Sequence, residues 1–233
     1  MEANDTVIRA LVDLRDRTLQ KSRVAFGLRI SAVERGADEM DAGQQDILRY
    51  WHERFDELEA DVDMQIRQVL KGNPIIESMT SVKGVGVGLA AKVYSMIDIE
   101  KCDTVSALWR YAGYAVIDGE REKPTKGEKL HYNNRLKTSC YLIGTSFLRS
   151  GSEYRKVYDD AREYYEANRP DWTKLHKHNA SMRKMIKVWL AHLWEVWRTI
   201  EGLETRSLYV QERLGHNHIT TPAEFGWKVA EVA

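Results

Sequence analysis

The chain has 233 residues, enough for one or two domains, with 43% hydrophobic residues and 35 acidic side chains against 35 basic ones. A zero balance excludes a uniformly basic protein but hides an asymmetry. Residues 1–72 hold 11 Lys/Arg and 15 Asp/Glu, residues 73–190 hold 20 and 14, and residues 191–233 hold 4 and 6. Two cysteines, Cys102 and Cys140, are too few for a disulfide scaffold, and no CxxC spacing points to zinc. No run of about 18 apolar residues is present for a membrane span, so no membrane partner is expected. The acidic start Met1-Glu2-Ala3-Asn4-Asp5 lacks the apolar stretch of a secretory signal, and a reducing cytoplasm is the expected compartment.

In chain order, an all-α fold is expected, beginning with two long helices. Val7, Leu11, Leu14, Thr18, Ala25 and Leu28 fall at helical spacing. Ile47, Trp51, Phe55, Leu58, Val62, Ile66 and Val69 follow in steps averaging close to the 3.6 period of a straight helix. One apolar stripe per helix, with a hinge between Gly36 and Gly43, fits an intramolecular hairpin. It fits equally a coiled coil with a second copy of the chain, a homodimer through residues 6–70. Lys71-Gly72-Asn73-Pro74 stops the second helix.

A compact helical segment comes next. Ile75 to Ser81 reads as a short helix, Asp103 caps another that runs to Tyr111, and Ile117 to Lys129 is a polar loop or short hairpin. Asn134 to Arg149 reads as a helix ended by Ser150-Gly151. Ser152 is expected to cap a helix with Tyr154, Tyr158, Ala161 and Tyr165 on one face, which stops at Arg169-Pro170. Met182, Met185, Ile186, Trp189, Leu193, Trp197 and Ile200 mark a long closing helix. Three regions result: residues 1–72 as a linker or dimerisation segment, 73–202 as a compact domain, and 203–233 as an irregular tail.

The segment richest in chemistry is Val82-Lys83-Gly84-Val85-Gly86-Val87-Gly88-Leu89-Ala90-Ala91-Lys92-Val93. Hydrophobic-x-Gly-hydrophobic-Gly followed by Ala is the pattern of a helix-hairpin-helix. Gly84 and Gly86 are expected to take positive φ in the tight turn. With Gly88 they leave backbone N–H groups of the turn and of a helix starting near Val87 open to an anion, a DNA phosphate. Val82 and Val85 would anchor the turn, Ala90 is small for a helix crossing, and Lys83 and Lys92 add phosphate contacts that position without reading sequence. A mononucleotide loop is the weaker rival, because Gly88 is followed by Leu89-Ala90 rather than the Lys-Ser/Thr of a P-loop and the preceding Ile75 to Ser81 reads as a helix, not a strand. A turn with a purely structural role remains the alternative.

A second basic stretch follows, Arg121, Lys123, Lys126, Lys129, Arg135 and Lys137 with Tyr132 interleaved; residues 121–187 hold 16 basic side chains and 8 acidic ones. Each phosphate contact would steepen the salt dependence of binding. His176 and His178, His192, and the pair His216 and His218 lack a cysteine or carboxylate at ligand spacing, so they read as solvated and no metal is expected. Asp98, Glu100 and Asp103, three acids near one turn, could hold a metal in a nuclease, and caps and surface explain them as cheaply. Trp189, Trp194 and Trp197 read as core, and no cofactor is expected.

Residues 78–200 resemble the C-terminal domain of insertion-sequence transposases of the IS one-ten / one-sixteen group, the bridge-RNA-guided recombinases. The order of elements agrees. A Gly-Val-Gly hairpin at Ser81 to Val93 precedes an acidic step at Ile97-Asp98-Ile99 and a helix ending Trp109-Arg110-Tyr111-Ala112-Gly113. A polar loop then leads to a basic helix from Lys126 to Lys137 and onward, and Met182 to Trp197 closes the domain. The resemblance implies DNA as partner, duplex or branched, possession of a coiled linker, and a guide RNA as a further partner. Two features depart from it. A RuvC-like domain with metal-binding carboxylates is expected to be absent, because the helical linker begins by about residue 6. The family's serine nucleophile, in a Ser-Ser-Gly loop, has no counterpart in Asp118 to Lys129, where Thr125 is the nearest hydroxyl. The expectation is a truncated or domesticated transposase-like protein that binds DNA without cutting it. The alternatives are a recombinase subunit using Thr125 or a separate RuvC-like chain, and a structural helical protein that binds no DNA.

Overall fold

The computed structural model describes residues 3–117, 120–121, 127, 129–205 and 221–228. The fold is all-α, and the extended pairing among the described residues is one antiparallel pair of two-residue strands, β1 (Val116–Ile117) with β2 (Glu120–Arg121). The chain divides into two compact units, Met1–Lys71 and Gly72–Ala233. No helix among the described residues is long and apolar enough to cross a membrane.

The first unit is a helical hairpin. Helix α1 (Ala3–Asp13) passes through a π-helical turn (Leu14–Leu19) into α2 (Gln20–Glu34), which packs against α3 (Ala42–Val69). Gly36 at φ +68° turns the chain. Asp41 then starts α3 with a capping box, its carboxylate accepting from Gln44 N at 2.9 Å while Gln44 Oε1 accepts from Asp41 N at 3.1 Å. The face buried between the helices corrects the expected stripe. Ile8, Val12 and Leu19 are buried, whereas Val7, Leu14 and Leu28 of the expected stripe are 46%, 43% and 64% exposed. The inward face also holds Arg15 and Arg23, which an apolar pattern passes over. Arg15 forks onto Asp63, and Arg23 Nε donates to Glu59 Oε1 at 2.7 Å, with Glu59 buried. On α3 the expected Val62 and Ile66 are buried, but Ile47, Trp51 and Leu58 are exposed.

The second unit is built on α9 (Lys174–Ile200), which is longer at its start than the apolar run suggests because Thr173 caps it, accepting from His176 N. Met182, Met185, Ile186, Trp189, Leu190, Leu193, Trp194, Val196 and Trp197 are all buried, so this helix is apolar nearly all round over its second half, as a central helix must be. Burial of each large side chain contributes about 1.5–3 kcal/mol. Around it pack α4 (Pro74–Ser81), α6 (Val105–Tyr111), α7 (Asn134–Ser150) and α8 (Tyr154–Asn168), and α5 (Val87–Met96) lies on α4 and α7. Trp194 Nε1 donates to Cys102 O at 2.6 Å, tying α9 to the short 3₁₀ turn Ile99–Lys101.

Two caps differ from expectation by one residue. Thr104, not Asp103, starts α6, its hydroxyl accepting from Ala107 N, because Asp103 lies outside the last extended position before the helix. Ser152 makes no cap for α8: its buried Oγ has no partner among the described residues, and Glu153 precedes the helix. Residues 221–228, expected within an irregular tail, form a 3₁₀ turn (Pro222–Phe225) whose Phe225 and Trp227 are buried in this unit.

Candidate nucleic-acid interface

Helices α4 and α5 are joined by the five-residue turn Val82–Gly86. Asn73 starts α4, its side chain accepting from Ile75 N and Ile76 N, with Pro74 in the first helical position where a missing N–H costs nothing. Val82 and Val85 are 1% and 5% exposed, and Val85 N donates to Val82 O at 3.0 Å, so the turn is held from inside.

The glycines of this turn do different jobs. Gly84 has φ +100°, and a Cβ there would lie 2.7 Å from Ser150 Oγ and 3.3 Å from the Phe147 ring. Ser146 Oγ donates to Gly84 O at 2.7 Å. Gly84 therefore needs its bareness twice, for its backbone and for its approach to α7. Gly86, expected at positive φ, is instead extended at φ −89° and ψ 161°, because the sharp bend is completed at Gly84 and Gly86 only has to start α5. A Cβ at Gly86 or Gly88 meets nothing within 4 Å, and both residues are exposed. No side chain caps α5, so the N–H groups of its first turn are left open at the surface.

The two ends of α5 fix its direction against α7. Its start lies beside Ser146, Phe147 and Ser150 in the last turns of α7. Its end lies beside the start of α7: Tyr111 Oη donates to Met96 O at 2.8 Å, and Asn133 Nδ2 donates to Tyr111 Oη at 3.0 Å. Asn133 is the N-cap of α7, so the helices run antiparallel over about 15 Å, the rise of ten residues.

This arrangement divides the expected basic residues. Lys83 is exposed on the turn, and Lys92 is half-buried on α5. Lys129 and Arg135 are exposed near the other end, where Lys137 Nζ sits 4.2 Å over the Tyr132 ring. The turn thus stands at the opposite end of α7 from Lys129, Arg135 and Lys137, not in one patch with them. Arg121 lies in β2, whose backbone pairs with β1. Lys123, Lys126 and the candidate nucleophile Thr125 lie outside the described residues. Sequence reasoning missed Arg149, exposed in the same final turn of α7 as Ser146 and Ser150. It also missed a compositional signal: residues 78–97 and 129–152 contain no Asp or Glu, and these are the neighbours α5 and α7 with their flanks.

In the segment Trp109-Arg110-Tyr111-Ala112-Gly113, Arg110 is exposed and the others have packing or hydrogen-bonding work. Trp109 Nε1 donates to Lys187 O at 3.0 Å, and Lys187 Nζ lies 3.9 Å over the indole. Burial, helped by nearby Arg183, holds the Lys187 ammonium below its usual pKa. Ala112 is buried, and Gly113 at φ +74° comes so close to Tyr132 that a Cβ would lie 2.7 Å from the ring.

Of the described histidines expected to be solvated, His192 and His178 are engaged inside the fold, while His176 is exposed. His192 is buried with Nδ1 2.6 Å from Tyr154 Oη, His178 Nδ1 is 2.8 Å from Tyr158 Oη, and His176 stacks on Trp172 at 3.9 Å. The sequence shows the aromatic and imidazole positions but not which ring each histidine meets. His216 and His218 lie outside the described residues. Among the described residues no three His, Cys, Asp or Glu side chains gather to hold a metal, and Asp98 is paired with Lys101 at 2.6 Å. Burial pushes the thiol of Cys102 up to about 11 and that of Cys140 higher still, so neither is a ready nucleophile.

No protein-family model, curated protein or solved structure matches the chain.

Proposed function

We propose that this chain binds duplex or branched DNA through non-sequence-specific phosphate contacts, as a transposase-like protein of DNA transposition or recombination, or as a domesticated remnant of one. The supporting observation is the acid-free layer formed by α5 and α7. It carries Lys83 and Arg149 at one end and Lys129 and Arg135 at the other. A separation of about 15 Å compares with a major groove about 12 Å wide, so the ends suit phosphates on successive ridges of one duplex. The open first turn of α5 beside Lys83 adds a second attraction for phosphate.

The test is fluorescence anisotropy with duplex, single-stranded and four-way DNA over a series of salt concentrations. Binding is expected to weaken linearly in log–log form, with a slope of about −0.9 per phosphate neutralised on duplex. Gly86→Glu puts a carboxylate into open space at the turn and should weaken binding without loss of fold. Absence of salt-dependent binding to all three DNAs would sink the proposal.

A homodimer through residues 6–70 is a second reading, favoured by the exposed apolar side chains of the first unit. Val7, Leu14 and Leu28 are apolar and exposed, surface that a second copy would cover. Sedimentation equilibrium should report a dimer that Leu14→Glu with Leu28→Glu converts to monomer; a monomeric wild type refutes it.

A further inference from the structure

We infer that Lys228 is a phosphate-binding residue of the same surface, delivered to the α4–α5 turn by a docked C-terminal strap. The inference rests on the DNA-binding proposal and adds a contact from a part of the chain remote in sequence.

The strap is residues 221–228, and it is anchored in two places. Its aromatic residues enter the core: Phe225 packs on Tyr154 at 4.6 Å and on His192 at 5.0 Å between ring centroids. Trp227 Nε1 donates to Tyr154 Oη at 2.7 Å, and that same Oη is 2.6 Å from His192 Nδ1. These groups are buried, so each hydrogen bond left unmade would cost the desolvation of its donor or acceptor. Gly226, at φ +85°, makes the bend between the two aromatic residues that lets both point inward.

The second anchorage is the last turn of α4. Ser78 Oγ donates to Lys228 O at 2.7 Å, Lys228 N donates to Ser81 Oγ at 3.0 Å, and Ser81 Oγ lies 2.9 Å from Gly226 O. The main chain of Lys228 is therefore fixed on both sides, at N and O, against serines that end two residues before Lys83. A flexible four-carbon stem then carries an exposed ammonium from that fixed point.

The electrostatic surroundings agree. Among the described residues neither Lys83 nor Lys228 has an ion-pair partner. The strap's own Glu224 is engaged by the Thr221 hydroxyl at 2.9 Å, and Glu77 is the one acid on α4, a turn before Ser81. Lys228 therefore extends the cationic end of the acid-free layer rather than neutralising it.

The test uses the full chain and a short duplex, with anisotropy read across a salt series and melting temperature read in parallel. Lys228→Ala is expected to weaken duplex binding several-fold, to flatten the salt slope by about 0.9, and to leave the melting temperature unchanged. Lys228→Arg should restore both affinity and slope. Trp227→Ala, which undocks the strap, should lower affinity and melting temperature together. If Lys228→Ala leaves affinity and slope intact while Lys83→Ala lowers both, the strap is a clamp alone and the inference is wrong, with DNA binding standing. If the wild type shows no salt-dependent duplex binding, both the inference and the proposal it rests on are overturned.

Discussion

The hairpin of residues 3–69 and the domain organised on α9 solve the same problem with different means. A pair of helices can bury only one stripe on each, and here part of that stripe is ionic: Arg15 with Asp63 and Arg23 with Glu59 share it with Ile8, Val12, Leu19, Val62 and Ile66. Other apolar side chains stay in the open, and Leu28, Ile47, Tyr50 and Met64 are more than half exposed. Helix α9 is surrounded on several sides and turns large side chains inward in all those directions, with Trp189, Leu190 and Leu193 fully buried. The lesson is that an apolar period announces a buried face only where enough neighbours exist to cover it.

That contrast is breakable at several points, beginning with the largest expected effect. Trp189→Ala leaves a void where the indole packs against Phe147 of α7 and should cost about 3–5 kcal/mol, read as a lower denaturant midpoint for the second unit while the helical signal of the hairpin persists. Gly84→Ala comes next: a side chain at φ +100° pressed on Ser150 should cost about 1–3 kcal/mol. Gly86→Ala, with open space around it, should stay within about 1 kcal/mol; equal losses for the two would contradict the division of labour in the turn.

Glu59→Ala leaves Arg23 only the exposed Asp56 at 3.4 Å and should cost about 1 kcal/mol in the hairpin, seen as early loss of helix on heating with no shift in the tryptophan transition of α9. Last is alkaline pH. The Cys102 thiol ionises near 9.0 when unfolded and near 11 when buried, so above pH 9 the unfolded state releases its proton first. Stability present below that pH is lost as pH rises toward 11, and Cys140 extends the loss. Melting curves at pH 8 and 10.5 should show the second unit weakened; an unchanged midpoint would mean these thiols reach solvent.

The sequence made the helices legible because their stops are local chemistry. Gly72-Asn73-Pro74, Gly151 and the Val87 start all act within a few residues, and each element they bound is present. The sides of those helices were harder. In α1 and the π-helical turn the inward face of Ile8, Val12 and Leu19 is offset by one residue from the apolar stripe, and Arg15 and Arg23 find carboxylates on α3, pairings 48 and 36 residues apart. In the candidate interface the turn and its lysine were visible as a pattern. Arg149 and Lys228 were not, since what brings them there is the antiparallel lie of α5 on α7 and the return of the strap to Ser81. The same holds for Gly84, whose neighbour Ser150 is 66 positions away.

The turn between α4 and α5 is gripped from four directions: by the buried side chains of Val82 and Val85, by Ser146 on its carbonyl, and by the strap on Ser81 just before it. So constrained, it has little disorder left to surrender when a ligand arrives. Association at this point should proceed as the meeting of a finished shape with its counterpart, with almost no entropic toll for ordering the loop, and the rate of encounter should follow long-range charge rather than any folding of the contact.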